Sequence, residues 1–430
     1  MNKKTKDYIV IGFAIFSLFF GSGNLIFPPK LGEAVGNQFY LGIIGFCLTG
    51  VIFPVLGLMA CTKTHGNFEE LFERVGKNFS KIFSIILVLL IGPIVAIPRT
   101  AATTFSLAVQ PNFHHLNIIE FLIVFLLIDF FLVIRPSKLI DVVGTYLTPI
   151  LLLILFTLII KGIIAPISSY STTVPVDSFP KALTDGYETM DTIASIIFAC
   201  LIMGTVKSKG YKHKEKIKVI LKSSIVAILG LCSVYGGLIY LGSRTGVLGH
   251  NLSDSSLLLF LAHSLLGNAG TIGIEIVLAL GCIATSIGVL SASGEFFVRI
   301  SNNKIKYNVA IIFMIIITGL IASIGLTRII SISTVLLNIV YPTTMVLILL
   351  NLIKKYINNN YVFKLCTYIT LLISLLDAIP LLQKYMNYIP LTKAGFGWVI
   401  PFVIVFLICN YFMPKENLVT NNKLSTDKLS

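Results

Sequence analysis

The sequence predicts an all-α membrane protein with twelve transmembrane helices. Of its 430 residues, 56% are hydrophobic and only 12% are charged, whereas soluble domains carry about a quarter charged residues. Apolar stretches of roughly 20 residues, long enough to cross a hydrocarbon core of about 30 Å, recur along the whole chain. Lysine and arginine concentrate in alternate loops. These observations predict a lipid-embedded protein without a separate soluble domain.

We predict one transmembrane domain, residues 1–413, and a polar cytoplasmic tail, residues 414–430. The predicted spans are residues 8–36, 39–61, 81–109, 116–134, 137–161, 178–206, 216–243, 271–298, 307–325, 328–353, 362–382 and 395–413.

The distribution of basic residues predicts the orientation. If the N-terminus is cytoplasmic, about three quarters of the 33 lysines and arginines fall on the cytoplasmic side, as the positive-inside rule requires. The net charge of +14 therefore reflects basic residues that orient the chain in the membrane. These residues do not form a patch of the kind that binds nucleic acid. Both termini are predicted to be cytoplasmic.

Motifs of several other protein classes are absent from the sequence. The seven cysteines are scattered without C-x-x-C spacing, and the six histidines lack partners at metal-ligand spacing, so no transition-metal site is predicted. No G-x-x-x-x-G-K-[ST], G-x-S-x-G or H-E-x-x-H sequence occurs. We predict a protein that is not an enzyme and has no organic cofactor.

The number of spans permits an inverted repeat. Two consecutive units of five spans, about 8–161 and 178–353, must enter the membrane from opposite sides because five is odd. Transporters with such repeats bind substrate near the midplane, between interrupted helices of the two halves. The last two spans, about 362–413, are additions to the repeat.

The first span carries an interruption signal, "GSGN" at residues 21–24, followed by Pro28 and Pro29. A helix-packing surface is the alternative, since small residues let helices approach closely. Packing alone does not require Asn24 or the prolines, and unwound backbone at membrane depth must line a cavity or bind a ligand. The segment therefore predicts a binding region. A dinucleotide loop is excluded because no strand precedes it.

The sixth span carries "DGYETMDTIAS" at residues 185–195. Glu188 and Asp191 then lie roughly 15 to 20 Å along a helix that starts near Ser178. A carboxylate at that depth costs on the order of 2.5 to 3.5 kcal/mol and normally faces a partner or a wet cavity. We predict a second interruption here and a functional role for Asp191.

The third span contains Arg99 within "GPIVAIPRTAATTFS". A guanidinium inside the membrane needs a carboxylate, backbone carbonyls or water. Gating or site architecture is predicted, and a structural ion pair is the alternative. The hydroxyl-rich eighth span, "GCIATSIGVLSASGE", could line a polar path, or its hydroxyls could bond back to their own helix.

Four segments, "GFAIFSLFFGSGNLIFPP", "GPIVAIPRTA", "GYETMD" and "ATSIG", resemble in order and spacing the signatures of the bacterial branched-chain amino acid:cation symporters. The resemblance covers nearly the whole chain through span 12. It implies a LeuT-type fold of the amino acid-polyamine-cation superfamily, with a five-plus-five inverted repeat and discontinuous helices 1 and 6. It also implies a place in the bacterial cytoplasmic membrane.

The resemblance also implies a substrate site. The half-helix after the first break would hold a carboxylate at its positive N-terminal end, with binders Ser22, Gly23 and Asn24. The substrate ammonium would meet carbonyls of the unwound sixth span, near Tyr187, Glu188 and Asp191. An apolar pocket would involve Phe19, Phe20, Ile97 and Met190.

A sodium site between spans 1 and 8 follows from the same resemblance. Its ligands would be carbonyls near Phe20 and Gly21 and the hydroxyls of Thr285 and Ser286. Many family members are expected to have two adjacent threonines, whereas this chain has Thr followed by Ser, which keeps the hydroxyl.

The predicted function is import of leucine, isoleucine and valine, coupled to sodium or alternatively to protons. Glu188 and Asp191 keep the proton alternative open. Competing hypotheses are a LeuT-type carrier for another small solute, which pocket volume would distinguish, and a channel, for which no filter segment is present. The oligomeric state stays undetermined.

Overall fold

The computed structural model describes residues 3–62, 64, 67–134, 148–170, 177–211, 213–246, 252, 256–357 and 359–412. The regular structure within these ranges is helical. The start of the predicted fifth span, part of the segment that follows it and the predicted tail from residue 414 lie outside the described residues.

The α-helices, in chain order, are α1 (Lys3–Phe19), α2 (Ser22–Val35), α3 (Phe39–Cys47), α4 (Phe53–Cys61), α5 (Lys77–Leu89), α6 (Ala96–Thr104), α7 (Ile118–Val133), α8 (Thr148–Ile164), α9 (Ser178–Tyr187), α10 (Asp191–Ser208), α11 (His213–Ser243), α12 (Ser256–Ile300), α13 (Tyr307–Ala322), α14 (Leu326–Leu352), α15 (Asn360–Asp377), α16 (Gln383–Met386) and α17 (Val399–Phe412). Short π-helical turns at Leu48–Ile52 and Leu90–Ile94 connect α3 to α4 and α5 to α6.

The helices have the length and composition of membrane spans. Within the described ranges, seven helical runs are long and apolar enough to cross a membrane, and three further apolar helices have 10–17 residues. The run Ser22–Cys61 contains a break at Gly36, whose φ is +51°, so it holds part of the first predicted span and all of the second. The all-α membrane class is thus confirmed, while the number of twelve stays a prediction.

α7 illustrates how a span of this kind divides its surface. Its buried positions follow the helical spacing i, i+3, i+4, i+7 and i+11: Leu122, Phe125, Leu126, Asp129 and Val133. Such spacing places them on one helical face, which packs against the rest of the protein. After Glu120, the rest of its surface is apolar and mostly exposed, as expected of a helix that contacts lipid.

The first and sixth predicted spans are both interrupted. Phe20 and Gly21 separate α1 from α2, and residues 188–190 separate α9 from α10. α1 and α2 pack against α11, α9 packs against α3, and α10 packs against α4. α6 and α12 also pack against each other. The two breaks are therefore enclosed by other helices, where irregular backbone is tolerated at membrane depth.

Of the predicted boundaries that fall on described residues, several differ from the structure, and the start of the eighth span differs most. The eighth span was expected at residues 271–298, but α12 begins at Ser256 and bends at Gly267, whose φ is +62°. A left-handed glycine lets the chain change direction while helix continues on both sides. The eleventh span was expected to reach residue 382, but α15 ends at Asp377.

We expect Gly32→Ala to destabilise the protein, because α2 and α11 touch backbone to backbone. A Cβ at Gly32 would lie 1.9 Å from the carbonyl oxygen of Ile239, and a Cβ at Gly242 would lie 1.9 Å from that of Pro29. Overpacking of a tight contact costs about 1–3 kcal/mol. Thermal unfolding of the purified protein in detergent should therefore show a lower Tm.

Gly204→Ala is the matched control, since an added Cβ there has no neighbour within 4 Å. Its Tm should match that of the wild type. An equal Tm for Gly32→Ala would contradict the close approach of α2 and α11.

Candidate functional site

The break in the first span is organised by Asn24. Gly21 is extended, with φ −109° and ψ −165°, and its N–H donates to Asn24 Oδ1 at 3.1 Å. α2 then begins at Ser22, so the N–H groups of its first turn have no intrahelical acceptors. Ser22, Gly23 and Asn24 are all buried. The break thus presents a helix N-terminus inside the protein.

The break in the sixth span depends on a left-handed residue. Tyr187 ends α9, Asp191 begins α10, and Met190 between them has φ +65°. A non-glycine residue in this conformation costs roughly 1–2 kcal/mol. The Met190 N–H donates to the Tyr187 carbonyl oxygen at 2.9 Å, which closes a tight turn. The carbonyl of Glu188 is left available to other groups.

Asn24 connects the two breaks directly. Its Nδ2 donates to Asp191 Oδ2 at 2.6 Å and also to the hydroxyl of Tyr235 on α11. All three side chains are buried. One amide therefore joins the start of α2, the start of α10 and the C-terminal half of α11.

Arg99 forms a second connection between the breaks. From α6, its Nη1 donates to the Glu188 carbonyl oxygen at 2.7 Å, and its guanidinium carbon lies 5.7 Å from the centre of the Phe27 ring. Gly23 leaves room for it, because a Cβ there would lie 2.8 Å from Arg99 Nη2. The Arg99 side chain is only 3% exposed. It therefore bridges a carbonyl at the second break and the first turn of α2.

A small cavity lies between the breaks and has a volume of about 20 Å³, which is room for about one water molecule. Seven of the predicted site residues line it: Gly21, Ser22, Asn24, Arg99, Met190, Asp191 and Thr285. Phe19 is also in its wall. The structure thus brings together residues as far apart in the chain as Phe19 and Thr285, which are separated by 266 positions.

The other predicted site residues lie around this cavity and not in its wall. Tyr187 stacks on Tyr341, with ring centres 4.4 Å apart, and meets Phe396 edge-on at 5.6 Å. Tyr187 and Glu188 line a second cavity of about 270 Å³, together with Asp377 of α15. Ile97 is fully buried in the core and is not in the wall of the small cavity.

Thr285 reaches the first break, whereas Ser286 faces another helix. The Thr285 hydroxyl lies 3.5 Å from the Phe20 carbonyl oxygen, and a Cβ at Gly21 would be 3.3 Å from the same hydroxyl. Carbonyl and hydroxyl oxygens of this kind suit a hard monovalent cation. The Ser286 hydroxyl instead donates to Asp129 Oδ2 on α7.

The sequence reasoning missed Asp129. It is fully buried and is the only charged residue in the second half of α7, within "FLLIDFFLV". An acidic residue inside an apolar span is by itself a signal of function or of a specific partner. The same rule that drew attention to Asp191 would have found it.

Comparisons with known proteins agree with the fold and indicate the family. A model of the "Branched-chain amino acid transport protein" family matches residues 4–417. The branched-chain amino acid permease BraB of Bacillus subtilis is 34% identical over 93% of this chain and 94% of its own length. A putative branched-chain amino acid carrier protein of Staphylococcus haemolyticus is 32% identical over 96% of this chain and 97% of its own length.

Two solved transporters share the fold. Mhp1, a nucleobase-cation-symport-1 family transporter, has a TM-score of 0.64 with 11% identity, over 93% of this chain and 90% of its own. A Na⁺-coupled sialic acid symporter has a TM-score of 0.60 with 15% identity, over 96% of this chain and 91% of its own. At these identities the similarity describes the fold alone. It confirms the expected likeness to LeuT-type transporters.

Proposed function

The chain belongs to the branched-chain amino acid transport protein family, and from that membership we propose that it imports leucine, isoleucine and valine by sodium-coupled symport. The family makes the chain a branched-chain amino acid carrier and not an enzyme. The proposal adds the coupling ion, the direction of transport and the residues that bind substrate and ion.

The observation that carries the proposal is the set of buried groups at the two breaks. Within the described ranges, Ser22 Oγ and Arg99 Nε have no hydrogen-bond partner, and the first N–H groups of α2 are open. Buried donors without partners are costly. A substrate carboxylate would satisfy them, and Gly23 lets it approach the backbone.

Acidic side chains, opposite in charge to Arg99, lie at the second break. Asp191 lines the small cavity, and Glu188 lies beside it with one buried oxygen that has no partner in the described part of the chain. These carboxylates, with the carbonyls of residues 188–190, suit the substrate ammonium. An amino acid zwitterion thus matches the charge distribution between Arg99 and Asp191.

The apolar side chain of the substrate requires the site to open. The small cavity holds about one water molecule, so leucine binding needs the helices around it to separate. Phe19 and Met190 in its wall supply apolar contacts. Movement at the breaks of the first and sixth spans is the expected route, because broken helices can pivot where the backbone is not helical.

The proposal includes twelve spans in residues 1–413, arranged as an inverted repeat of 8–161 and 178–353 with both termini cytoplasmic. Support comes from contacts between segments predicted to be cytoplasmic. Asp7 accepts a hydrogen bond from the Tyr211 hydroxyl at 2.7 Å, and Lys209 lies 3.5 Å from the same carboxylate. Arg299 pairs with Glu69 at 2.9 Å.

Uptake of labelled leucine into proteoliposomes, with sodium and proton gradients imposed separately, tests the proposal. We expect uptake to follow the sodium gradient and to be inhibited by isoleucine and valine. Uptake that follows only the proton gradient would mean that the coupling ion is a proton. The buried Asp191 and Glu188 would then be the candidate proton carriers. Uptake that neither isoleucine nor valine inhibits would contradict the substrate assignment.

Thr285→Val should weaken sodium binding, because it replaces the hydroxyl near the Phe20 carbonyl with a methyl group of similar size. The sodium concentration for half-maximal leucine uptake should rise about tenfold, on the scale that partners of a metal site contribute. High sodium should restore part of the uptake, since sodium and leucine affinities are linked.

The control is Thr318→Val on α13. The Thr318 hydroxyl is buried and has no partner among the described residues, and we assign it no part in ion binding. If Thr285→Val leaves the sodium concentration for half-maximal leucine uptake unchanged, Thr285 is not a ligand of the cation.

A further inference from the structure

Asp129 contacts Ser286, the neighbour of the candidate cation ligand Thr285. It has no role in the function proposed above. It belongs to α7, is fully buried, and accepts a hydrogen bond from the Ser286 hydroxyl at Oδ2. Its other oxygen, Oδ1, is buried and has no hydrogen-bond partner in the described part of the chain. Ser286 directly follows Thr285 on α12. Two residues thus connect this carboxylate to the carbonyl of Phe20.

A carboxyl group in this position either keeps its proton or pairs with a positive charge. An ionised side chain at membrane depth is expensive unless it pairs with another charge. No ion pair to Asp129 is found among the residues that the structure describes. Arg99, the buried guanidinium of the neighbouring α6, bonds to the Glu188 carbonyl instead.

We propose that Asp129 is a positioning residue and counter-charge of the coupling-cation site, and that it acts through Ser286. This inference rests on the proposed binding of sodium between Phe20 and Thr285. It names the cation as the positive partner of Asp129. It also gives the Ser286 hydroxyl, which the structure turns toward α7, a defined function in the site.

Asp129 would act on the cation in two ways. A serine hydroxyl has one proton and two lone pairs, so the proton given to Asp129 leaves the lone pairs available to a cation. A carboxylate that accepts a hydrogen bond from a ligand fixes its orientation and increases its basicity. In addition, the negative charge attracts the cation across a medium of low dielectric constant, where such attraction is much stronger than in water.

The test measures sodium binding without transport. Sodium should raise the Tm of the purified protein in detergent, because a ligand that binds the folded state stabilises it. We expect Asp129→Asn to raise the sodium concentration for half-maximal stabilisation about tenfold or more. Ser286→Ala should raise it as well. The double variant should need no more sodium for half-maximal stabilisation than the single variant that needs more, because coupled residues act non-additively.

Glu275→Gln is the matched control. It neutralises a different buried carboxylate, which lies on α12, roughly 16 Å along that helix from Ser286, and it should leave the sodium requirement unchanged. If Asp129→Asn does not fold, Ser286→Ala alone decides, and a wild-type sodium requirement in that variant would overturn the proposal.

The outcomes separate this inference from the function on which it rests. If sodium stabilises the wild type and Asp129→Asn has the same sodium requirement, Asp129 is only structural and sodium coupling stands. If the effects of Asp129→Asn and Ser286→Ala on the free energy of sodium binding add in the double variant, Asp129 does not act through Ser286. If the wild type shows neither sodium-dependent stabilisation nor sodium-dependent uptake, the coupling ion and the inference both fail, while leucine uptake still tests the substrate assignment.

Discussion

Gly23→Leu is expected to abolish leucine binding while the protein still inserts and folds. The first added atom, Cβ, would lie 2.8 Å from Arg99 Nη2 and 3.2 Å from the Phe27 ring. Displacement of the Arg99 side chain would disturb its bond to the Glu188 carbonyl, and the rest of the leucine side chain would occupy the approach to the first N–H groups of α2. Insertion is not opposed because the new side chain is apolar.

Binding of labelled leucine to the purified variant is the measurement, with Gly204→Leu as control. The same side chain at Gly204 meets nothing near its Cβ, so leucine affinity should remain at the wild-type value. Normal affinity in Gly23→Leu, with normal folding, would show that "GSGN" serves packing between helices and not substrate binding.

Asp191→Asn is expected to reduce leucine uptake roughly 10- to 100-fold, since a hydrogen bond to a charged group contributes about 1.5–3 kcal/mol. The Asp191 carboxylate accepts the Asn24 amide at 2.6 Å and stands at the N-terminus of α10, where negative charge is favoured. The substitution removes that charge and places a second amide opposite Asn24. It therefore loosens the connection between the two breaks and removes the proposed partner of the substrate ammonium.

Asp377→Asn is the control for this prediction. Asp377 is half-buried and lines the larger cavity together with Glu188, but it is not among the residues that line the small cavity. Initial rates of labelled-leucine uptake at equal amounts of reconstituted protein compare the two variants. Equal losses of leucine uptake in the two variants would contradict a specific role of the Asp191 charge in transport.

The local features of the fold were predictable because each depends on a few adjacent residues. "GSGN" indicated the first break within two residues of its position, since glycine and asparagine are unusual in the middle of an apolar span. The depth of Glu188 and Asp191 indicated the second. The left-handed conformation of Met190 was not predictable, because methionine has no preference for it and the surrounding packing imposes it.

The contacts between distant segments could not be predicted from one sequence. Asn24 and Asp191 are 167 residues apart, and only the packing of α1, α2, α10 and α11 brings them together. The direction of Ser286 is a similar case. Adjacent residues of a helix point about 100° apart, so Thr285 and Ser286 cannot both be assigned to one neighbour before the rotation of α12 is known.

The central claim is that the two broken helices together recognise an amino acid by both of its charges and by its apolar side chain. Competition against labelled leucine, bound to the purified protein in sodium, tests it most directly. The account predicts that isoleucine and valine displace leucine, whereas leucinol, which lacks the carboxylate, and 4-methylpentanoate, which lacks the ammonium, do not. Displacement by leucinol as strong as that by isoleucine would contradict carboxylate recognition at the start of α2.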